Sequence, residues 1–339
     1  MRASFCNKTH KYWLQCGNWY CDGNVVNGLD LFPENSSFQA FILNKSITYH
    51  CMMRTLKKIG VAIAFSPRIE AILKEAARIK SIWGAELILI HVGAHGEKET
   101  TRLNQLLIQA GLADRADVRI FWEEGKPSQR ILATCKNENV DLLIAGALKK
   151  ENLVRFYLGT VARKIIRKAD CSVLLLTNPS TTPKPFQNIV VDADDRPNVE
   201  ESLRTACEIA MKDKSQWLHI VRELKMYGLT MTAAEQCSEE EYEEMRHKLV
   251  QSEIDIVEKI LKEIPHEGIK INIKLVSGKS GFELSQFAQR KQADLLIVGA
   301  PERRFSFFDR VFTHDHEYIF ADLPCNLLII HPRKEVMGG

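Results

Sequence analysis

A seven-residue pattern that occurs twice constrains the fold of this chain more than any other feature. Asp-Leu-Leu-Ile-Ala-Gly-Ala at 141–147 returns as Asp-Leu-Leu-Ile-Val-Gly-Ala at 294–300, which is 153 residues later. Gly125-Lys126 and Gly278-Lys279 repeat at the same offset. A continuous apolar run that ends in glycine is typical of a buried parallel strand followed by a tight turn. Matching offsets at two places indicate an internal duplication.

Strand and helix patterns alternate regularly in both halves. The predicted strands are 58–64, 87–92, 117–122, 141–146 and 172–177 in the first half, and 188–193, 217–221, 270–276, 294–299 and 326–331 in the second. This order favours an α/β fold with two tandem, doubly wound, Rossmann-like domains, each with a mainly parallel five-stranded sheet. The predicted domains are 54–178 and 187–333, with a proline-containing linker at 179–186 and a tail at 334–339.

The first 53 residues differ from the rest, because they show no sustained period and are rich in Asn and Gly, which is typical of loops. A poorly ordered extension is one interpretation. A zinc module using Cys16, Cys21 and a nearby histidine is another, although the spacing matches no standard finger. We favour a third, in which Met52 or Met53 is the natural start and the preceding residues are an artefact of upstream translation, because a clean α/β unit begins directly after this pair.

The composition narrows the class of protein. The net charge is +3 and 26% of the 339 residues are charged, so no clustered basic surface for nucleic acid is expected. No apolar run reaches the roughly 18 residues that a membrane span needs, and the beginning does not resemble a signal peptide. The chain has nine cysteines, and most of those beyond residue 60 lie in apolar or helical patterns, as reduced thiols do. We therefore expect a cytoplasmic protein with neither nucleic acid nor membrane as partner.

One loop pattern points to a known family. Gly146 is followed by two residues, then by Lys149 where the family has a second glycine, then by nine residues and Gly159-Thr160. Val161-Ala162-Arg163 follows, and Cys-Ser-Val-Leu at 171–174 precedes the last strand. From about residue 54 to 332 the chain resembles a tandem, two-domain universal stress protein. The resemblance implies the fold of the adenine-nucleotide alpha-hydrolases.

The resemblance also implies a ligand and its contacts. In ATP-binding members the loop wraps the phosphates, an aspartate after the first strand contacts the nucleoside, and the end of the second strand contacts adenine. The corresponding positions here are Ala64, Val92, Gly146, Lys149, Gly159 and Thr160 in the first half, and Asp194 and Gly299 in the second. The expected cofactor is ATP, with Mg²⁺ as a companion of the nucleotide.

Glycine and a helix N-terminus suit this chemistry. Glycines let backbone N–H groups approach phosphate oxygens, and the first turn of a helix offers free N–H groups and partial positive charge. An alternative is that Gly146 and Gly159 serve only a tight turn and the close packing of helix on sheet.

Each half departs from the family pattern in its own way. The first half has Ala64 in place of the aspartate, which removes a hydrogen bond worth about 1.5–3 kcal/mol, or roughly ten- to a hundredfold in affinity. Lys149 replaces the second glycine, and its charge offers a phosphate contact. The second half keeps Asp194, but Glu302 replaces the glycine and Phe312-Thr313 replaces Gly-Thr. The first half is therefore the better candidate for nucleotide binding.

The remaining features do not indicate a metal site or a catalytic site. His314 and His316 lie two apart on a predicted helix and so face different directions, which is poor geometry for one metal ion. Cys171 and Cys325 precede the final strands at equivalent places, which predicts core packing. No nucleophile elbow, P-loop or zinc-protease motif is present in the sequence. We expect no enzymatic activity, and slow ATP hydrolysis assisted by Asp194 is the weakest hypothesis.

The function predicted is that of a stress-response regulator that acts by binding. The alternative is a nucleotide-free interaction protein that uses the insertion at 227–263 and the loop at 305–308 to bind an unknown protein partner. By analogy with the family, the strands at 172–177 and 326–331 are expected to pair, making an intrachain pseudo-dimer that covers both edges. Further homodimerisation is left open.

Overall fold

The structure is a computed structural model that describes residues 3–7, 10–15, 18–21, 24–26, 56–113, 116–149, 156–195, 198–224, 238–278, 280–300 and 314–332. Before residue 56, and at 149, 280 and 314–316, the description covers the backbone alone. The chain divides into two compact units, Met1–Met53 and Arg54–Gly339.

The first unit contains four short strands where the sequence analysis predicts loop. They are β1 (Ala3–Asn7), β2 (His10–Gln15), β3 (Asn18–Cys21) and β4 (Asn24–Val26), paired antiparallel in that order. Two physical signals outweigh the Asn and Gly content. The paired strands carry aromatic residues with high strand propensity, and Asp22-Gly23 between β3 and β4 is a dipeptide favoured in tight hairpins.

The second unit contains the duplicated α/β pattern. Its strands are β5 (Lys58–Ile63), β6 (Glu86–Val92), β7 (Val118–Glu123), β8 (Leu142–Gly146), β9 (Leu148–Lys149), β10 (Phe156–Tyr157), β11 (Ser172–Leu176), β12 (Asn188–Asp192), β13 (Trp217–Glu223), β14 (Ile271–Val276), β15 (Leu295–Gly299) and β16 (Asn326–Ile330). Its helices are α1 (Ile69–Trp83), α2 (Glu97–Gln109), α3 (Pro127–Asn137), α4 (Thr160–Lys168), α5 (Val199–Asp213), α6 (Glu239–Lys262), α7 (Ser280–Arg290) and α8 (His314–Ala321).

Ten of these strands form one continuous sheet in the order β14-β13-β12-β15-β16-β11-β8-β5-β6-β7. Neighbours are parallel within each half, and β11 pairs antiparallel with β16, with Val173 opposite Ile329. The predicted fold class and the predicted pairing between the halves are thus confirmed. Because the central pair is antiparallel, the strands of the two halves run in opposite directions. The carboxyl ends of the first-half strands therefore lie at the end of the sheet where the second-half strands begin.

The aspartate that opens each copy of the repeated pattern has a structural role. The Asp141 carboxylate accepts the backbone N–H groups of residues 57 and 58 at 2.8 and 3.0 Å. The Asp294 carboxylate accepts those of residues 187 and 188, both at 2.8 Å. Each carboxylate therefore joins the start of a fourth strand to the start of the first strand of the same half.

Helices cover both faces of the sheet. The buried apolar residues of α1, α2, α5 and α6 belong to one core cluster, and those of α3, α4, α7 and α8 belong to the other. Among the described residues, no helix is both long enough and apolar enough to cross a bilayer.

The predicted insertion at 227–263 needs a correction. Its helix α6 buries Val257 and Leu261 in the same core cluster as Leu103 and Leu107 of α2. Helix α6 is therefore the lengthened counterpart of α2, since each helix connects the second strand of its half to the third. A capping box begins α6, because the side chain of Ser238 accepts the N3 backbone N–H and the N3 glutamate accepts that of Ser238. Because α6 contributes to the core, deleting it would remove part of the fold.

Candidate functional site

Three of the predicted site residues lie together at the carboxyl edge of the first half. Strand β5 lies between β8 and β6 in the sheet. Gly146 is the last residue of β8, Ala64 directly follows β5, and Val92 is the last residue of β6. Ala64 is exposed, so the place where the family has its aspartate is open to solvent. The topology therefore brings these positions together as the resemblance implies.

The chain after Gly146 turns back on itself and leads to Gly159. Strands β9 and β10 pair antiparallel, with Lys149 opposite Phe156. Gly159 then occupies the N-cap of α4, whose first residue is the exposed Thr160. Because the N-cap residue is a glycine, it has no side chain to cap the first N–H groups of the helix, which are suited to a ligand. The side chain of Lys149 lies outside the described part of the chain.

The two glycines of this loop differ in what surrounds them. A Cβ on Gly146 would lie 3.0 Å from Cδ1 of Ile72 in α1, so glycine here allows close helix packing. A Cβ on Gly159 would lie 2.5 Å from Cδ1 of Leu148. Leu148 is 49% exposed and covers Gly159 with the end of a flexible side chain. A ligand at the α4 N-terminus would therefore have to displace Leu148.

An aromatic cluster that the sequence analysis missed lies beside Ala64 and Val92. The rings of Phe65 and His91 have centroids 4.9 Å apart, and Trp122 lies 5.2 Å from His91 and 6.3 Å from Phe65. These side chains lie where the resemblance places the nucleoside. The signal in the sequence was an aromatic residue directly after the alanine that replaces the aspartate.

Arg68 is a second residue that the sequence analysis missed. Arg68 is the N-cap residue of α1. Its guanidinium donates to the carbonyl oxygens of Ala147 and Thr177, the latter at 2.9 Å. Arg68 therefore bridges the carboxyl ends of β8 and β11, directly behind Gly146.

Asn198 is the counterpart of Arg68 in the second half, 130 positions later. It is the N-cap of α5 and donates through Nδ2 to the carbonyl oxygens of Ile330 and Ala300, at 2.8 and 3.3 Å. A Cβ on Gly299 would lie 2.5 Å from Oδ1 of Asn198. Gly299, predicted as a binding residue, thus makes room for this buried asparagine.

Comparison with known proteins decides the family. The model of the universal stress protein family matches residues 55–177 and 185–331. The chain belongs to this family. A universal stress protein of Methanocaldococcus jannaschii is 29% identical over 124 residues, covering 31% of this chain and 73% of the relative.

Solved structures share the fold of this universal stress protein. One from Archaeoglobus fulgidus, also a universal stress protein, aligns with a TM-score of 0.61 at 13% identity and covers 82% of this chain and 99% of its own. A protein of unknown function from Pseudomonas aeruginosa aligns with a TM-score of 0.62 at 17% identity, covering 84% of this chain and 95% of its own. Both alignments span the two halves, so the tandem arrangement is shared.

The aspartate that this universal stress protein keeps in its second half is engaged within the fold. The Asp194 carboxylate accepts the backbone N–H of Glu223 at 2.7 Å, which links the ends of β12 and β13. The buried Arg222 nearby binds the carboxylate of Asp195 at 2.6 Å and that of Glu253 on α6 at 2.5 Å. Glu302 and Phe312 lie outside the described residues.

The cysteines of the second unit that the structure describes are buried and free. A hydrogen bond with the Cys171 thiol, together with burial, raises the pKa of Cys135. Burial raises the pKa of Cys207 to about 12 and also raises that of Cys325. Cys171 and Cys325 are both buried in the same core cluster, which agrees with the packing role predicted for them. Within the described residues, no group of three or more His, Cys, Asp or Glu side chains is placed to hold a metal.

Proposed function

We propose that this universal stress protein is a stress-response regulator that binds an adenine nucleotide such as ATP in its first half, without turning it over. The observation that carries the proposal is the arrangement of Gly146, the returning loop and Gly159. Together they bring the N-terminus of α4, whose N-cap is a glycine without a capping side chain, to the end of a glycine-bounded loop. Free N–H groups at a helix N-terminus bind phosphate oxygens.

The first half suits an anion better than the second. It offers the backbone N–H groups at the start of α4, and it has the cation of Arg68 beside the loop. The second half keeps Asp194, whose carboxylate already accepts the backbone N–H of Glu223, but the acceptor oxygen of Asn198 lies against Gly299 and this half has no counterpart to the cation of Arg68. We expect weak binding, because Ala64 supplies no hydrogen bond to the nucleoside and Leu148 has to move.

Mg²⁺ would accompany the nucleotide rather than occupy a site of its own. Magnesium in nucleotide sites is held by one or two carboxylates together with substrate phosphates and water. Ala64 offers no carboxylate at the end of β5, so the nucleotide phosphates and water would hold the ion. The ion would lower the charge repulsion among the phosphates.

Isothermal titration with ATP and magnesium tests the proposal. We expect saturable heat at millimolar ATP and no release of phosphate over the same period. The Leu148→Ala variant should bind more tightly, because the side chain that covers Gly159 is removed. Ile108→Ala is the control, since Ile108 is an exposed apolar residue of α2, 65% exposed, outside the loop. Absence of heat at millimolar ATP in all three proteins would overturn the proposal.

One observation supports the alternative function, that of a nucleotide-free interaction protein. Helix α6 has most of its 24 residues on the surface and leaves Ile256 40% exposed. Because the helix itself belongs to the core, a surface substitution is the appropriate test. Ile256→Asp should keep the unfolding temperature and abolish capture of a partner; unchanged capture would exclude this surface.

A further inference from the structure

Arg68 is a partly buried arginine that, among the described residues, has no carboxylate partner, unlike Arg78 and Arg222. Arg78 pairs with Glu75 and Asp213, and Arg222 with Asp195 and Glu253. The described partners of Arg68 are two carbonyl oxygens and an aromatic ring, all of them neutral. A partly buried charge without a counterion is costly, and carbonyl dipoles compensate it only in part. The structure therefore leaves a cation at this place that an anion would stabilise.

The position of this cation is at the base of the loop. Its two carbonyl partners belong to Ala147, directly after Gly146, and to Thr177 at the end of β11. Its Cζ atom lies 5.9 Å from the ring centroid of Phe156, in the strand that leads back to Gly159. The charge thus lies between the two ends of the glycine-bounded loop. A guanidinium has five N–H donors, so two bonds to carbonyls leave others for phosphate oxygens.

The second half provides an internal comparison. Asn198 donates to Ala300 and Ile330, the counterparts of the carbonyls that Arg68 bridges. An amide therefore suffices to join these two strand ends, and the joint does not require a positive charge. The charge of Arg68 is an addition that the first half has and the second lacks.

We infer that Arg68 contacts the phosphate groups of the ligand and gives the first half its selectivity for phosphorylated compounds over the bare nucleoside. The inference rests on the proposed nucleotide binding and adds a contact outside the glycine loop. Its ligand class is a phosphate chain, whether carried by a nucleotide or free as inorganic triphosphate.

Titrations of four proteins with three ligands test the inference. The ligands are ATP, inorganic triphosphate and adenosine, each at low and at high salt. The wild type is compared with Arg68→Asn, which copies Asn198, with Arg68→Gln, a longer neutral amide, and with Lys184→Asn, which removes a charge from an exposed residue of the linker. Circular dichroism and thermal unfolding establish that each variant is folded.

We expect both neutral variants to bind ATP and inorganic triphosphate roughly ten- to a hundredfold more weakly, as the loss of a charge-assisted hydrogen bond predicts. Adenosine affinity should be unchanged, and the dependence of ATP binding on salt should weaken. Lys184→Asn should match the wild type. If Arg68→Asn does not fold, Arg68→Gln carries the comparison, because its amide can still reach a carbonyl.

Three outcomes would overturn the inference in distinguishable ways. Unchanged ATP affinity in the neutral variants would exclude the contact and leave the proposed nucleotide binding intact. Equal losses for ATP and adenosine would show that Arg68 only holds the strand ends in place. Wild-type protein that binds none of the three ligands would overturn the proposed function and this inference together.

Discussion

Arg78 of the first half and Asp213 of the second form an ion pair across the pseudo-dimer, with the Nη1 and Oδ1 atoms 2.7 Å apart. The two side chains are 13% and 3% exposed. Arg78 also binds Glu75, whose pKa is raised by burial in spite of that partner. Asp213 also accepts the backbone N–H of Phe186 at 2.9 Å. Because these bonds join α1 to α5 beside the central strands, the halves are held together by more than the β11–β16 pairing.

Asp213→Asn should destabilise the protein by about 3 kcal/mol, because it leaves Arg78 with one carboxylate instead of two in a buried setting. Urea unfolding at neutral pH measures the change. Lys74→Ala is the control, since Lys74 on the same helix pairs with Glu70 at 2.8 Å near the surface and should cost about 0.5 kcal/mol or less. Equal effects of the two substitutions would show that the cross-half pair contributes no more than a surface pair.

Asp141→Ala and Asp294→Ala should each cost about 2–3 kcal/mol, because each removes the acceptor of two backbone N–H groups. The double variant should lose the sum within about 0.5 kcal/mol, since the two carboxylates join different strands. Chemical denaturation measures the losses. Asp117→Ala, at an aspartate with a side chain 52% exposed, provides the control. Losses no larger than in this control would mean that the repeated aspartate has another role.

Gly299→Ala should cost about 1–3 kcal/mol, because the new methyl group meets the buried Asn198, which two hydrogen bonds hold in place. Gly146→Ala should cost less, since its neighbour is the flexible end of Ile72. In a double-mutant cycle, Gly299→Ala combined with Asn198→Ala should show coupling of about 1–2 kcal/mol. Strict additivity would contradict the packing explanation.

Stability should fall as the pH is lowered through the ordinary pKa of histidine, about 6.5. Burial, with a smaller effect of Lys291, lowers the pKa of His219, which is 4% exposed and lies 3.1 Å from Nδ2 of Asn272. Protons therefore bind the unfolded chain preferentially, and the stability present above this pH is lost below it. Unfolding free energies between pH 8 and 5 should fall less steeply in His219→Gln. The exposed His247→Gln should keep the wild-type slope, and a flattened slope there would contradict the assignment.

Ala64→Asp should raise the affinity for ATP by roughly tenfold, because it restores the hydrogen bond that the family makes to the nucleoside. Titration calorimetry measures the gain. Ala64→Leu adds a side chain of similar size without an acceptor and should give no gain. Tighter binding by the leucine variant would point to apolar contact instead of a hydrogen bond.

The regular part of the fold was readable from the sequence because its signals are local. The strand predicted at 58–64 is Lys58–Ile63, and the one predicted at 326–331 is Asn326–Ile330. Apolar runs are properties of neighbouring residues, so periodicity detects them. The N-terminal strands were missed because each is only three to six residues long and their pattern lacks a sustained period.

The sequence by itself determined the duplication, the α/β class, the family and the glycine-bounded loop, since these depend on residue types at fixed spacings. Only the tertiary structure decided what those residues touch. It assigns Asp141 to a strand joint, gives Gly299 to the packing of Asn198, covers Gly159 with Leu148 and brings Arg68 behind Gly146. In most cases these contacts join residues about 80 to 100 positions apart. The spacing of residue types along the sequence does not show which distant backbone groups lack a hydrogen-bond partner.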